Sequence, residues 1–161
     1  CLLSRGLGDV YKRQGQVDAI AGVATGAIPQ GALVADALNL PFVYVRSTPK
    51  DHGLENLIEG ELRPGMKVVV VEDLISTGGS SLKAVEAIRR DGCEVIGMVA
   101  AYTYGFPIAE KAFKDAKVPL VTLTNYEAVM EVALRTGYIE EEDVLTLNEW
   151  RKDPAHWEAG K

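Results

Sequence analysis

An α/β fold, with a central mostly parallel sheet flanked by helices, is the architecture predicted by this 161-residue sequence. Three observations carry that expectation. The strand candidates are almost wholly apolar and rich in β-branched residues, as strands buried on both faces are. They alternate with segments whose apolar residues recur at helical spacing. The joints hold the Gly, Pro, Ser and Thr residues that close one element and open the next.

Residues 1–14, CLLSRGLGDVYKRQ, come first and fit no element. They show no period of 2 or 3.6, carry three basic residues and begin without methionine. They are expected to be a non-native or disordered segment, with residues 15–161 forming the domain. Residues 19–24 read as a short apolar strand. Thr25, Gly26 and Ala27 make a turn, and Pro29 suits the first turn of a helix over 30–38 because its missing N–H costs nothing there. Residues 42–46 are a second β-branched strand. Residues 47–60 are polar with little periodicity, and a loop of that length is expected to be a mobile lid. Pro64 and Gly65 turn the chain into a strand over 67–72, followed by a helix over 80–91. Leu82, Val85 and Ile88, with Ala84 and Ala87, form that helix's apolar stripe, and Gly92 stops it. A strand over 95–102, a helix over 107–114, a strand over 119–123 and a helix over 126–136 ended by Gly137 come next. An acidic helix over 140–150 completes the series. Neither an internal repeat nor a low-complexity segment interrupts it.

The composition narrows the function. The chain is 47% hydrophobic and carries a formal charge of -6, which disfavours nucleic acid as a partner. No run reaches the 18 or more apolar residues of a membrane span, so no membrane partner is expected and the cytoplasm is the expected location. The two cysteines, Cys1 and Cys93, form neither a disulfide framework nor a metal motif. Cys93 precedes an apolar run and reads as a small buried thiol.

The chemistry concentrates in residues 68–81. Four valines, Val68 to Val71, run into Glu72 and Asp73, and Leu74 and Ile75 lead to Ser76, Thr77, Gly78, Gly79, Ser80 and Ser81. A buried strand that ends in two carboxylates and then a glycine- and hydroxyl-rich helix start suits a ligand with vicinal hydroxyls and a phosphate. Adjacent residues on a strand point to opposite faces, but a chain turning at a strand end lets both acids approach one ligand. The four hydroxyls can donate to a phosphate monoester. No Lys follows the glycines, so this is not a nucleoside triphosphate P-loop, nor is it a dinucleotide-binding turn.

A second constellation, residues 46–53, places Arg46, Lys50 and His52 within seven residues of a strand end. Such a loop can close over a polyanion and exclude water. Residues 25–29 form another strand-to-helix turn of small residues, open to either a diphosphate or a purely connecting role. Tyr102, Tyr104 and Phe106 can wall in a planar base or simply pack. His156, Trp150 and Trp157 read as packing residues of the last helix, and His52 and His156 are too isolated for zinc.

Residues 68–81 resemble the phosphoribosyl diphosphate signature of the type I phosphoribosyltransferases. Phe42 to Arg46 followed by Lys50, Asp51, His52 and Gly53 resemble the branch of that family that uses orotate. The resemblance spans about residues 17–158. It implies transfer of the 5-phosphoribosyl group from phosphoribosyl diphosphate to orotate, giving orotidine 5'-monophosphate and diphosphate in pyrimidine synthesis. It implies Mg2+ carried on the diphosphate, with no protein ligand assigned, and a homodimer whose loops reach into shared active sites. By position, Glu72 and Asp73 would bind the ribose hydroxyls, and Ser76, Thr77, Gly78, Gly79 and Ser80 would cradle the 5'-phosphate. Arg46, Lys50 and His52 would face the diphosphate, and Lys50, His52 and Asp73 would be the catalytic set. Ser76 and Tyr104 would lie near the base. The chain departs from well-known members at Ser47 and Gly26, where a Lys is common, and at Tyr102 to Gly105, where an Arg is common. The family's N-terminal region has no counterpart in residues 1–14, so the domain is expected to lack it.

Three other functions share parts of this pattern. A purine or other base phosphoribosyltransferase would have the 72–81 site but not the 46–53 loop. A regulator that senses phosphoribosyl diphosphate would be expected to carry a basic nucleic-acid face. The enzyme that makes phosphoribosyl diphosphate from ATP would need a second related domain.

Overall fold

The computed structural model describes residues 17–46 and 57–157. The expectations for residues 1–14, for Lys50 and His52, and for most of the 47–60 segment fall outside the described residues. The chain divides into two compact units, Cys1–Asn125 and Tyr126–Lys161.

The first unit is built on six strands: β1 (Ala19–Val23), β2 (Phe42–Val45), β3 (Ile58–Glu59), β4 (Lys67–Ile75), β5 (Glu94–Thr103) and β6 (Leu120–Asn125). They lie in the order β3-β2-β1-β4-β5-β6. Every pairing is parallel except β2 with β3. Three helices connect them: α1 (Ile28–Leu38), α2 (Gly79–Arg90) and α3 (Pro107–Asp115). The alternation of apolar strands and amphipathic helices therefore yields the sheet that it predicts, because a parallel crossover needs a helix to return the chain.

Most boundaries fall within two residues of the sequence reading, and β3 and the end of β4 depart furthest from it. β3 lies inside the segment expected to be a loop, pairing Tyr44 with Glu59 and Val45 with Ile58. Two residues carry no detectable period, so only the neighbouring edge of β2 reveals them. β4 continues to Ile75 instead of stopping at 72, because Leu74 and Ile75 go on pairing with Tyr102 and Thr103 of β5.

Side-chain alternation splits the core into two layers. Ile20, Val69, Val71 and Val99 face Ala27, Val34 and Ala35 on the α1 side. Ala21, Val68, Val70 and Met98 face Ala84, Val85 and Ile88 of α2 and Phe113 of α3 on the other side. An irregularity between Val68 and Val69 pairs them with Val95 and Gly97, so that Ile96 is the extra residue and joins the α1-side layer. Cys93 is buried, as its place before the strand suggests, and its Sγ contacts the Arg63 carbonyl at 3.3 Å.

The second unit holds α4 (Tyr126–Arg135), α5 (Glu141–Lys152) and a 3-10 turn at Pro154–His156. Glu140 and Asp143 form a reciprocal capping box that starts α5. Arg151 ties α5 to α4 by an ion pair with Glu127 at 2.6 Å and by stacking 4.6 Å from the Tyr126 ring centre. His156 is exposed and meets Asp153 at 2.9 Å, within its own segment. Among the described residues no helix is long and apolar enough to cross a membrane.

Ile20 lies at the centre of the sheet with no exposed surface. Ile20→Ala should lower the unfolding free energy by about 2–5 kcal/mol and Ile20→Val by about 0.5–1.5 kcal/mol, read from urea midpoints at unchanged slope.

Candidate active site

The chain leaves β1 toward β2 through α1, and leaves β4 toward β5 on the opposite side through α2. The strand order thus reverses between β1 and β4. In open α/β sheets the crevice at the carboxyl ends of such a pair is where ligands bind. Two short turns line it, residues 24–27 after β1 and 76–78 after β4.

Gly26 brings the first turn against the second. A Cβ there would collide with the Asp73 carboxylate, and the absence of a side chain gives that carboxylate its place. Asp73 is half-buried, and one of its oxygens accepts the Leu74 N–H at 2.7 Å.

Glu72 points to the α2 side and is only 4% exposed. One oxygen accepts the Ser81 hydroxyl at 2.7 Å and the other accepts the Asp73 N–H at 3.1 Å. Burial pushes its carboxyl up to about 7 from an ordinary 4.5; hydrogen bonding from Ser81 opposes this and the adjacent Asp73 carboxylate adds to it. Ser81, read in the sequence as a hydroxyl for an anion, is therefore committed inward to Glu72. Facing the cores of strand and helix at once, it cannot also reach outward.

The turn after β4 stays available. Gly78 has φ +82° and starts α2 without any side-chain cap. Only glycine adopts that conformation at little cost, and a Cβ would also stand 2.8 Å from the Phe113 ring. The first N–H groups of a helix have no intrahelical partner, and with the helix dipole they attract an anion. Thr77, Gly79 and Ser80 are exposed, and Ser76 is half-buried at the same rim.

Arg46 follows β2 and donates to Glu59 of β3 at 3.4 Å. It also lines a cavity of about 320 Å³ with Gly79, Ser80, Lys83 and Arg90. The structure thus brings Arg46 to the phosphate-type turn. Lys83 and Arg90 were not singled out in the sequence, although their positions on the exposed face of the helix that begins at Gly79 were a usable signal.

At the end of β5, Tyr102 and Tyr104 meet edge to face at 5.1 Å, and Tyr104 stacks on Phe106 at 5.4 Å. The Tyr104 N–H donates to the Ile75 carbonyl at 3.1 Å, which fixes this aromatic row beside the β4 turn. Leu74, exposed, pairs with Tyr102.

The phosphoribosyl transferase domain family matches residues 5–135. Orotate phosphoribosyltransferase of Bacteroides fragilis is 93% identical over 152 residues, covering 94% of this chain and 72% of that protein. The chain belongs to the orotate phosphoribosyltransferase family. The relative from Listeria innocua is 55% identical over 143 residues, covering 89% of this chain and 68% of that protein. The crystal structure of orotate phosphoribosyltransferase from Aeropyrum pernix superposes with TM-score 0.68 at 31% identity, over 85% of this chain and 77% of that one. Adenine phosphoribosyltransferase from Thermoanaerobacter pseudethanolicus, at 23% identity and TM-score 0.64 over 77% of this chain and 78% of that one, shares the fold.

The raised Glu72 carboxyl makes stability pH-dependent. Between about 4.5 and about 7 the folded chain holds a proton that the unfolded chain releases, so stability falls as pH rises through this window. The loss should be on the order of 2 kcal/mol. Glu72→Gln should flatten that slope in denaturation curves recorded from pH 4.5 to pH 7.5.

Proposed function

We infer that this chain transfers the 5-phosphoribosyl group from phosphoribosyl diphosphate to orotate, releasing diphosphate and forming orotidine 5'-monophosphate. The observation that carries this reading is the pairing of Asp73, set against Gly26 at the switch point, with the uncapped start of α2 a few residues later. One holds hydroxyls and the other holds a phosphate, and a phosphoribosyl group presents both.

Glycosyl transfer builds positive character on the ribose ring while negative charge gathers on the departing diphosphate. Asp73, with Glu72 beside it, supplies negative potential at the ring and accepts hydrogen bonds from its hydroxyls. Thr77, Gly78, Gly79 and Ser80 hold the 5'-phosphate, and Ser76 and Tyr104 border the base. Arg46, Lys50 and His52 are assigned to the diphosphate. Orotate is already anionic, so the transfer needs no strong general base.

When bound, Mg2+ would neutralise charge at the leaving diphosphate. It dehydrates reluctantly and commonly binds through substrate phosphates. Among the described residues no group of three or more His, Cys, Asp or Glu side chains gathers as a metal site. Mg2+ would arrive on the diphosphate of the substrate, with no protein ligand assigned. A homodimer with shared sites, in which the loop that carries Lys50 and His52 serves the neighbouring subunit, belongs to the same reading.

Diphosphate release from phosphoribosyl diphosphate and Mg2+ should occur with orotate and not with uracil, adenine or hypoxanthine; turnover of a purine without orotate would overturn the assignment. Asp73→Asn should lower kcat/KM by about 10- to 100-fold, the equivalent of one charged hydrogen bond, and unchanged turnover would remove Asp73 from its role. Gly26→Ala should lower it as well, because the new methyl displaces the same carboxylate. For shared sites, mixing and re-equilibrating Lys50→Ala with Asp73→Asn protein should restore about a quarter of wild-type activity, as random pairing in a two-fold dimer allows.

A further inference from the structure

We propose that Ser81 is a positioning residue for phosphoribosyl transfer, its hydroxyl locking the Glu72 carboxylate to the first turn of α2 so that the ribose acids and the phosphate turn form one rigid unit. The proposal rests on the reading that this crevice binds phosphoribosyl diphosphate.

The geometry is specific. Ser81 is 1% exposed, and its Oγ donates to Glu72 Oε2 at 2.7 Å. A serine in a helix's first turn usually spends its hydroxyl on local backbone or solvent. Here it spans nine residues, across a strand end, a turn and a helix start, to reach a buried acid. The second Glu72 oxygen is held from the other side by the Asp73 N–H. Both oxygens are thereby fixed, one by α2 and one by β4. Asp73, which contacts the first turn at Gly26, is the next residue on that strand. A displacement of α2 would move Glu72, and through the shared backbone would move Asp73.

The bond also sets the charge of the pair. Of the elements around Glu72, β4 contributes the Asp73 carboxylate, α2 contributes Ser81, and β5 presents Ala100 at the paired position. Burial and Asp73 both favour the protonated acid, whereas the Ser81 hydroxyl favours the carboxylate. Loss of the hydroxyl therefore leaves Glu72 neutral over a wider pH range and held from β4 alone.

The test uses the whole chain and four variants: Ser81→Ala, Ser81→Cys, Glu72→Gln, and Ser81→Ala combined with Glu72→Gln. Carboxyl carbon NMR follows the Glu72 titration without requiring activity. Its midpoint should move up in Ser81→Ala and by a smaller step in Ser81→Cys, whose thiol is a weaker donor. The KM for phosphoribosyl diphosphate should rise roughly 5- to 30-fold in Ser81→Ala, and the acid limb of kcat/KM should shift to higher pH. In the Glu72→Gln background, Ser81→Ala should change neither quantity further. An unmoved midpoint in a folded variant, or a loss in the double variant equal to the sum of the single losses, overturns the proposal. Should Ser81→Ala fail to fold, Ser81→Cys decides by the same criterion. If the wild-type chain does not use orotate, the functional reading fails, while the titration still reports whether Ser81 governs Glu72.

Discussion

Burial of β4 on all sides is the constraint from which the rest of the structure follows. Val68 to Val71 have no exposed surface, with β1 and β5 paired on either edge and helices on both faces. A strand in that position satisfies its backbone through two parallel ladders and removes four branched side chains from water, each contributing about 1.5–3 kcal/mol. Such burial pins register, because a slip of one residue would exchange the α1 and α2 faces. With register pinned, Glu72 must turn toward α2, and the chain must emerge beside β1 at the point where strand order reverses. The crevice is thus a consequence of which strand is central.

That placement gives two neighbouring acids different environments. Glu72 is buried and held by Ser81, and burial pushes its carboxyl up to about 7. Asp73 is half-buried, next to a turn with no side chain at Gly26. Pairs of carboxyl groups whose surroundings separate their protonation are a recurring means of dividing roles in a site. In this chain the half-buried member lies against the turn at Gly26, and the buried member is tied to α2 through Ser81.

Much of this was legible in the amino-acid order, for reasons that can be named. The valine run, the acids and the Gly78–Gly79 turn are contiguous, so one local pattern carries a strand end, a carboxylate pair and a helix start. The helix stripe of Val85 and Ile88 and the stop at Gly92 are equally local. What escaped notice was set by distance. β3 is two residues long and exists through its pairing with β2. The end of β4 at Ile75 depends on how far β5 runs alongside. Ser81 looks like its neighbours Ser76 and Ser80 in the sequence, and only helix phase and the depth of Glu72 turn it inward. Arg46 was visible as a cation at a strand end, but its bond to Glu59 needs the β3 return.

By itself, the sequence determined the alternation of elements, the parallel character of the sheet and the residue types at the phosphate-type turn, because hydrophobic period and turn chemistry act over a few residues. The tertiary structure decided which acid is buried, which hydroxyl holds it, and why Gly26 leaves room for Asp73. Those outcomes depend on desolvation and close approach between segments tens of residues apart, quantities that no local pattern encodes.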